Sequence, residues 1–247
     1  MKASAFEFRF RYLIHTVIYA LGFTTPWNHW LHLDAMPTWR VLTAGCVRTG
    51  MVGFGVATVL VLVVGILFAT AAAGLRTWAA AYLGSGIVQD SSMHGDHMVA
   101  AGPYRHMRNP LYVGTFLHTL ALALLMQPSG AIFCIVTIGL LQARLIGGEE
   151  VFLAAKLGEP YREYCGVVPR LVPSLRPKVA ESLVQPRWGL GFLGEIYMWG
   201  VVASFLVFVV AVAAYGRYDT FLIIQGVVIS LGVSLVARAF VPKPQKA

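Results

Sequence analysis

Long apolar blocks alternate with short polar segments along this chain of 247 residues. The longest block, residues 51–75, contains no ionisable side chain. As a helix it would be about 37 Å long, which exceeds the roughly 30 Å of a bilayer's hydrocarbon core. Five more blocks are predicted spans: residues 12–25, 111–126, 129–146, 197–215 and 220–241. Because an open backbone finds no hydrogen bonds in lipid, the pattern predicts an all-α, polytopic transmembrane helix bundle with about six spans.

The composition agrees with a membrane protein and explains the basic charge. Hydrophobic residues make up 57% of the chain, charged residues 12%, and the mean hydropathy is +0.70. The net charge of +8 would suggest nucleic acid, but its placement does not. If both termini are cytosolic, every Lys and Arg except Arg40, Arg48 and Arg217 lies on the cytosolic side. This positive-inside pattern predicts an integral membrane protein with both termini cytosolic, and membrane lipids and not nucleic acid as partners. A bacterial inner membrane is the expected location.

The spans fall into three pairs, which predict three regions. Residues 1–97 form an N-terminal pair with a Trp-containing interfacial loop, residues 98–178 a core hairpin with an interfacial segment, and residues 179–247 a C-terminal hairpin. Glycines and serines in the last hairpin suit close helix packing, as a structural pair or a homo-oligomer contact. The three cysteines and the His29, His32 and Asp34 group have no metal-site spacing, so no metal is predicted.

A first polar cluster spans residues 102–114 at the start of the core hairpin. Asn109 and Pro110 fit the N-cap and first residue of a helix. Arg105 and Arg108 beside that helix start predict a positive corner for a carboxylate or phosphate; the alternative is that both arginines only contact lipid headgroups. Two tyrosines and two glycines flank the corner, and the glycines suit a tight turn and a close backbone approach: Tyr104, Tyr112, Gly102 and Gly114.

A second polar cluster ends the same hairpin. Arg144 is placed in the last turn of its span, and Gly147-Gly148 is expected to end the helix. Glu149 and Glu150 then lie at the membrane surface, where paired acids are costly unless they bind something. A hydroxyl-rich or cationic ligand fits them; a capping pair at a helix N-terminus is the alternative. Both clusters flanking an apolar hairpin fit S-adenosylmethionine, whose methyl transfer needs mainly alignment and exclusion of water.

The two clusters resemble the signatures of one enzyme family. The run Gly102-Pro-Tyr-Arg-x-x-Arg-Asn-Pro-x-Tyr-x-Gly114 is similar to that of the isoprenylcysteine carboxyl methyltransferase and phospholipid methyltransferase superfamily. Glu149-Glu150-x-x-Leu153, Gly158-x-x-Tyr161-x-x-Tyr164 and Val168-Pro169 resemble its C-terminal pattern. The resemblance implies that S-adenosylmethionine is held over the cytosolic helix ends, with the paired glutamates among its contacts.

The residues that carry this hypothesis have two expected roles. Arg105, Arg144 and Glu150 are the candidate catalytic residues. The candidate cofactor-binding residues are His97, Gly102, Tyr104, Arg108, Asn109, Pro110, Tyr112, Gly114, Glu149, Glu150 and Tyr161.

Three departures from the family pattern accompany the resemblance. Asn109 stands where the family often has histidine. Arg144 lies five residues before Glu149, one more than the pattern suggests. A further apolar hairpin follows the Val168-Pro169 element and bears on the identity of the substrate.

Three classes of methyl acceptor are consistent with the sequence: an isoprenylcysteine carboxylate, a phospholipid amine and a small thiol such as methanethiol. A carboxylate acceptor needs a positioning cation, for which Arg105 or Arg144 is suited. An amine or thiol needs a base, for which His97, His106 or Glu150 is suited. An NADPH-dependent sterol-type reductase is an alternative because Tyr164-Cys-x-x-Val-Pro-Arg resembles that related fold, and a non-catalytic scaffold or transporter is a third.

Overall fold

The computed structural model describes residues 2–24, 36–83 and 100–237, and within these ranges the chain is helical, with no strand. The α-helices are α1 (Ala5–Arg9), α2 (Arg11–Thr24), α3 (Thr38–Arg48), α4 (Phe54–Leu83), α5 (Pro110–Ala123), α6 (Pro128–Leu157), α7 (Glu159–Val167), α8 (Trp188–Gly194), α9 (Ile196–Tyr215) and α10 (Thr220–Ala237). A 3-10 helix, Gly102–Arg105, precedes α5.

Helices α4, α6, α9 and α10 are each long and apolar enough to cross a membrane. They correspond to four of the six predicted spans. The other two predicted spans are α2 and α5, each of 14 residues. A helix of that length extends about 21 Å, less than the roughly 30 Å hydrocarbon core. A polytopic helical bundle is confirmed, with four helices of full span length among the described residues.

The helices pack in a continuous order that places the core hairpin at the centre. Helix α2 packs on α6, α6 on α5, α5 on α4, α4 on α9, and α9 on α10. Phe205, Phe208, Leu62 and Leu122 are fully or almost fully buried between them. Large apolar side chains also cover the outer faces of α9 and α10, as expected for surfaces that contact lipid.

Helix α6 continues through Gly147 and Gly148 to Leu157, so the prediction that this pair ends the helix is wrong. Glycine lowers helix propensity by only about 1 kcal/mol per residue, which tertiary packing can outweigh. Atoms of Ala3 lie 3.5 Å from where a Gly148 Cβ would stand, and the Ala3 amide donates to the Arg144 carbonyl at 2.9 Å. Glu149 and Glu150 therefore lie inside a long helix and are not a capping pair.

The chain turns back at the end of the bundle that holds Trp39, called here the Trp39 end. Trp39 was expected in an interfacial belt, but it is fully buried against Phe208, and its Nε1 donates to Thr220 Oγ1 at 3.1 Å. Trp27, Trp30 and the His29, His32 and Asp34 group of the same loop lie outside the described residues.

The C-terminal hairpin packs through the small residues that the sequence indicated. A Cβ on Gly200 would collide with Ser230, and one on Gly226 would meet Ser204 Oγ at 2.6 Å. Gly232 has no such neighbour within 4 Å. Two of the three glycines thus allow α9 and α10 to approach closely.

The opposite end of the bundle, called here the Glu150 end, holds both polar clusters. Residues 168–187, called the return segment, cross this end without forming a helix. Their backbone amides and carbonyls bond to the first polar cluster in sequence: Arg108 N to Pro169 O, Ser174 N to His106 O, and Lys178 N to Arg105 O. The return segment is therefore fixed against residues 105–108.

Candidate functional site

The two polar clusters meet at the carboxylate of Glu150. Its Oε1 accepts a hydrogen bond from Arg108 Nε and one from the Asn109 amide, each at 3.1 Å. Its Oε2 lies 2.7 Å from Nη2 of Arg170. The Glu150 side chain is only 16% exposed, so these contacts form where solvent screening is weak. The first motif, the second motif and the return segment are thus joined at one acidic side chain.

Asn109 begins α5 by position, and Pro110 is its first helical residue, as predicted. Its side chain, however, makes no capping hydrogen bond. The Asn109 amide instead donates to Glu150 and to the Arg170 carbonyl, both at 3.1 Å. Because the side chain is buried, this pairing with a carboxylate meets its hydrogen-bonding need better than an exposed cap would.

The two arginines of the first cluster point in different directions. Arg108 contacts Glu150 and donates to the carbonyls of Cys165 and Val168, which fixes the end of α7. Arg105 donates to the Val179 carbonyl at 3.0 Å and contacts Glu181 at 3.2 Å. Each arginine is neutralised by a separate carboxylate, so the two do not form the single positive corner that the sequence suggested.

Glu149 faces a different neighbour from Glu150. The Tyr112 hydroxyl donates a hydrogen bond to Glu149 Oε2 at 2.8 Å. Among the described residues, Tyr112 is the one hydrogen-bond donor to the Glu149 side chain. A carboxylate has about four lone-pair positions, so Glu149 keeps acceptor capacity that Glu150, with three donors, largely lacks. The paired glutamates are therefore not equivalent.

Tyr104 adds an unpaired polar group near Glu149. Its side chain is 9% exposed, and its hydroxyl has no hydrogen-bond partner among the described residues. Burial raises the pKa of this phenol, and the negative charge of Glu149 raises it further. Buried hydroxyls are nearly always paired, so this one marks a position where a polar ligand atom fits.

Tyr164 of α7 contacts Tyr104, and Tyr161 of the same helix lies beside Tyr164. Their rings lie 5.9 Å apart, and the Tyr164 hydroxyl donates to the Tyr104 carbonyl at 2.7 Å. Burial raises the pKa of both phenols, which keeps them neutral. Tyr161, a predicted cofactor contact, is thus placed in a small apolar cluster beside the site, near enough for the charges of Glu150 and Glu149 to act on its phenol.

Gly102 and Gly114 allow the close approaches that the sequence indicated. Gly102 has φ +54°, and a Cβ there would lie 2.5 Å from the Tyr82 ring. A Cβ on Gly114 would collide with Cγ of Arg76. Both glycines let α4 side chains pack directly against the backbone of the site.

Arg144, a candidate catalytic residue, is not joined to this cluster. Arg144 forms a two-pronged ion pair with Glu7, with both N–O distances 2.8 Å, which ties α1 to α6. That contact, and next the Ser4 amide, lower the pKa of Glu7 to about 2. His97 lies outside the described residues. His106 bonds through Nδ1 to the Ser174 carbonyl at 2.8 Å.

The structure also joins charged residues that the sequence analysis did not connect. Arg170 directly follows the Val168-Pro169 element, and this position next to a motif could have identified it as a site residue from the sequence. Arg76 and Glu195 form a two-pronged ion pair at 2.7 and 2.8 Å, with Glu195 only 4% exposed. Arg76 also donates to Thr115 Oγ1 at 2.8 Å. An isolated charge beside an apolar run is costly in free energy unless it is paired, and this could have identified Arg76 and Glu195 from the sequence.

The fold and the Glu150 cluster together define a helical integral membrane protein with a partly buried acidic site at one end of its bundle. Residues 55–159 match the family model of phospholipid methyltransferases. This match confirms the resemblance drawn from the motifs for this region, which is similar to the phospholipid methyltransferases. The matched region runs from α4 to the start of α7 and includes both glutamates. Neither a curated protein nor a solved structure matches the chain.

Proposed function

We propose that the protein transfers a methyl group from S-adenosylmethionine to a lipophilic acceptor at the Glu150 end. The family match supports membrane methyl transfer as the class of reaction. The observation that carries the proposal is the arrangement of Glu149, whose carboxylate has unused acceptor capacity, near the unpaired hydroxyl of Tyr104.

The residues present fit this cofactor in their chemistry. A carboxylate accepts hydrogen bonds from ribose hydroxyls or from an ammonium group, and Glu149 is suited to either. The Tyr104 hydroxyl would pair with a further polar atom of the cofactor. Glu150 is already held by Arg108, Asn109 and Arg170, so its proposed role is to fix the helix ends around the site. When bound, S-adenosylmethionine supplies an electrophilic methyl group.

The Glu150 end is proposed to face the cytosol. The return segment there carries four basic residues, Arg170, Arg176, Lys178 and Arg187, whereas the segments that join the spans on the side of the Trp39 end carry three, Arg40, Arg48 and Arg217. Because Lys and Arg are enriched in cytosolic loops, this distribution supports cytosolic entry of the cofactor and bilayer entry of the acceptor.

The acceptor is proposed to be lipophilic, with isoprenylcysteine carboxylate, phospholipid amine and small thiol as the classes to compare. A carboxylate acceptor would need a free cation. Arg105 is paired with Glu181 and Arg144 with Glu7, so either arginine would have to leave its partner to position such an acceptor. A proton-bearing acceptor needs no such rearrangement.

A binding titration of the purified protein in lipid nanodiscs tests the cofactor. S-adenosylmethionine and its demethylated product should bind saturably, and NADPH should not. Glu149→Gln should weaken S-adenosylmethionine binding roughly 10- to 150-fold, the equivalent of about 1.5–3 kcal/mol for a hydrogen bond to a charged group. The exposed Glu159, which pairs with Arg162 three residues on, supplies the matched control Glu159→Gln, which should bind as the wild type does. Saturable NADPH binding with no binding of either sulfur compound would overturn the proposal.

A further inference from the structure

His118 is a buried histidine whose ring makes no hydrogen bond within the described part of the chain. It lies in the second half of α5 and is 2% exposed. Tyr19 of α2 and Tyr197 of α9 contact it edge to face, with ring centroids 6.3 and 5.3 Å away. Neither Nδ1 nor Nε2 has a partner among the described residues. An ionisable side chain is thus enclosed by three helices with both nitrogens unpaired.

The Tyr19 hydroxyl, Thr119 and Arg76 near His118 have partners of their own, which makes the unpaired state of His118 informative. The Tyr19 hydroxyl and Thr119 Oγ1 are 2.7 Å apart, and Thr115, one turn earlier, accepts from Arg76. Arg76 in turn is paired with Glu195. Leaving a buried polar group unpaired costs about 1–3 kcal/mol, and phenylalanine would fill the same space without that cost. Ionisable groups inside a membrane bundle are by default functional.

The place of His118 relative to the Glu150 end suggests its ligand. Helix α5 begins at Pro110, beside Glu150, and His118 lies eight residues later, about 12 Å along the helix axis. It is therefore on the bilayer side of the proposed cofactor site. An acceptor that enters from lipid would pass this position with its reactive group leading.

We infer that His118 binds the reactive group of the methyl acceptor and takes a proton from it, so that the acceptor is an ammonium or a thiol and not a carboxylate. This inference rests on the proposed function. A nitrogen or sulfur of the acceptor loses its proton to the neutral imidazole. Its lone pair then forms the bond to the methyl carbon, the bond from that carbon to the sulfonium sulfur breaks, and the electron pair stays on sulfur as a thioether.

The other bases that the sequence offered are less suited to this role. His106 is bonded to the Ser174 carbonyl in the return segment, and Glu150 is held by three donors. A carboxylate acceptor is already nucleophilic at neutral pH and has no proton to lose, so His118 would have no role as a base. The charged and titratable groups around His118 are Arg76, Glu195, Tyr19 and Tyr197.

The main test compares wild type with His118→Phe, which keeps a ring between Tyr19 and Tyr197 and removes both nitrogens. The probes are phosphatidylethanolamine in nanodiscs, a long-chain alkyl thiol, and a prenylated cysteine with a free carboxylate. We expect the wild type to methylate the amine or the thiol. His118→Phe should lower kcat/KM for that acceptor by roughly 100-fold or more, the usual contribution of a general base, and abolish the acid limb of its pH profile. S-adenosylmethionine binding should stay within about twofold, because cofactor contacts are elsewhere.

Two further measurements separate failure of this inference from failure of the proposed function. His118→Gln, which keeps a hydrogen-bonding group, should retain binding of the acceptor while losing the acid limb. Nitrogen-15 NMR of labelled histidine in the wild type should show the His118 signal shift when the acceptor is added to the complex with demethylated cofactor. Unchanged kcat/KM in His118→Phe, methylation of the carboxylate probe alone, or an unshifted His118 signal would each overturn the inference. Absence of cofactor binding to the wild type would overturn the proposed function; the His118 signal, followed as the amine or the thiol is added to the protein without cofactor, would then decide whether His118 binds either of them.

Discussion

The Asn109 side-chain amide donates a 3.1 Å hydrogen bond to Oε1 of Glu150, the oxygen that also accepts from Arg108 Nε. These residues are 41 positions apart in the chain, at the start of α5 and in the last third of α6. The contact is therefore the link between the two polar motifs. It also accounts for asparagine at this position, because an amide can donate to a carboxylate without adding charge.

Changing the charge at Asn109 should separate the two motifs. Asn109→Asp removes the donor and places a second carboxylate against Glu150, so we expect the free energy of unfolding to fall by about 1–3 kcal/mol. Asn109→His keeps a ring N–H donor and should lose much less. Thermal unfolding in detergent measures both variants side by side. An Asn109→Asp protein as stable as the wild type would contradict the proposed importance of this contact.

The Arg76–Glu195 pair should behave as a buried ion pair that joins the C-terminal hairpin to the core. Glu195→Leu leaves Arg76 charged and largely buried, and we expect a loss of about 3–5 kcal/mol of stability. The double variant Arg76→Met with Glu195→Leu removes both charges and should recover most of it. Chemical denaturation of the single and double variants provides the comparison. If the double variant is no more stable than Glu195→Leu, the pair is not the reason for the loss.

Gly102 should tolerate no side chain, for two separable reasons. Its φ of +54° disfavours other residues by about 1–2 kcal/mol, and a Cβ would lie 2.5 Å from Tyr82. Gly216 has a similar φ of +61°, in the left-handed region, but no atom within 4 Å of its Cβ position. Gly216→Ala should therefore show the backbone cost alone, and Gly102→Ala that cost plus about 1–3 kcal/mol of overpacking. Equal losses of unfolding free energy in the two variants would exclude the steric contribution.

The contact of Glu7 with Arg144 should make α1 docking sensitive to acid. The pKa of Glu7 is lowered from 4.5 to about 2, first by the Arg144 hydrogen bond and then by the Ser4 amide. A carboxyl whose folded-state pKa is lowered stabilises the fold fully above its unfolded pKa, and this contribution is lost as pH falls from about 4.5 toward 2. The wild type should therefore exceed Glu7→Gln in thermal stability near neutral pH, and the difference should shrink below pH 4.5. Glu159→Gln, at an exposed position, should show no such pH-dependent difference. A gap for Glu7→Gln that persists unchanged to pH 3 would show that the ion pair is not its origin.

The sequence determined the membrane class and the elements that carry the site. An apolar run of about 20 residues satisfies its own backbone hydrogen bonds in lipid by forming a helix, so residues 51–75 and the later blocks predicted α4, α6, α9 and α10 well. Asn109-Pro110 marked the start of α5 because local chemistry at a helix N-terminus depends on adjacent residues. The motif spacing also indicated a resemblance to the phospholipid methyltransferase family, which the match of residues 55–159 confirms.

Only the tertiary structure decided which charges meet. Arg108 and Arg105 are three residues apart, yet one binds Glu150 and the other Glu181, while Arg144 binds Glu7 from the other end of the sequence. The helix continues through Gly147-Gly148 because packing against Ala3 and its neighbours outweighs a small local preference. In the sequence, His118 is one polar residue in an apolar run. Only the structure shows that its two ring nitrogens are unpaired among the described residues, where α2, α5 and α9 surround it. Local pattern fixes helices because their hydrogen bonds are local, whereas ion pairs and buried polar groups depend on partners that folding brings from distant parts of the chain.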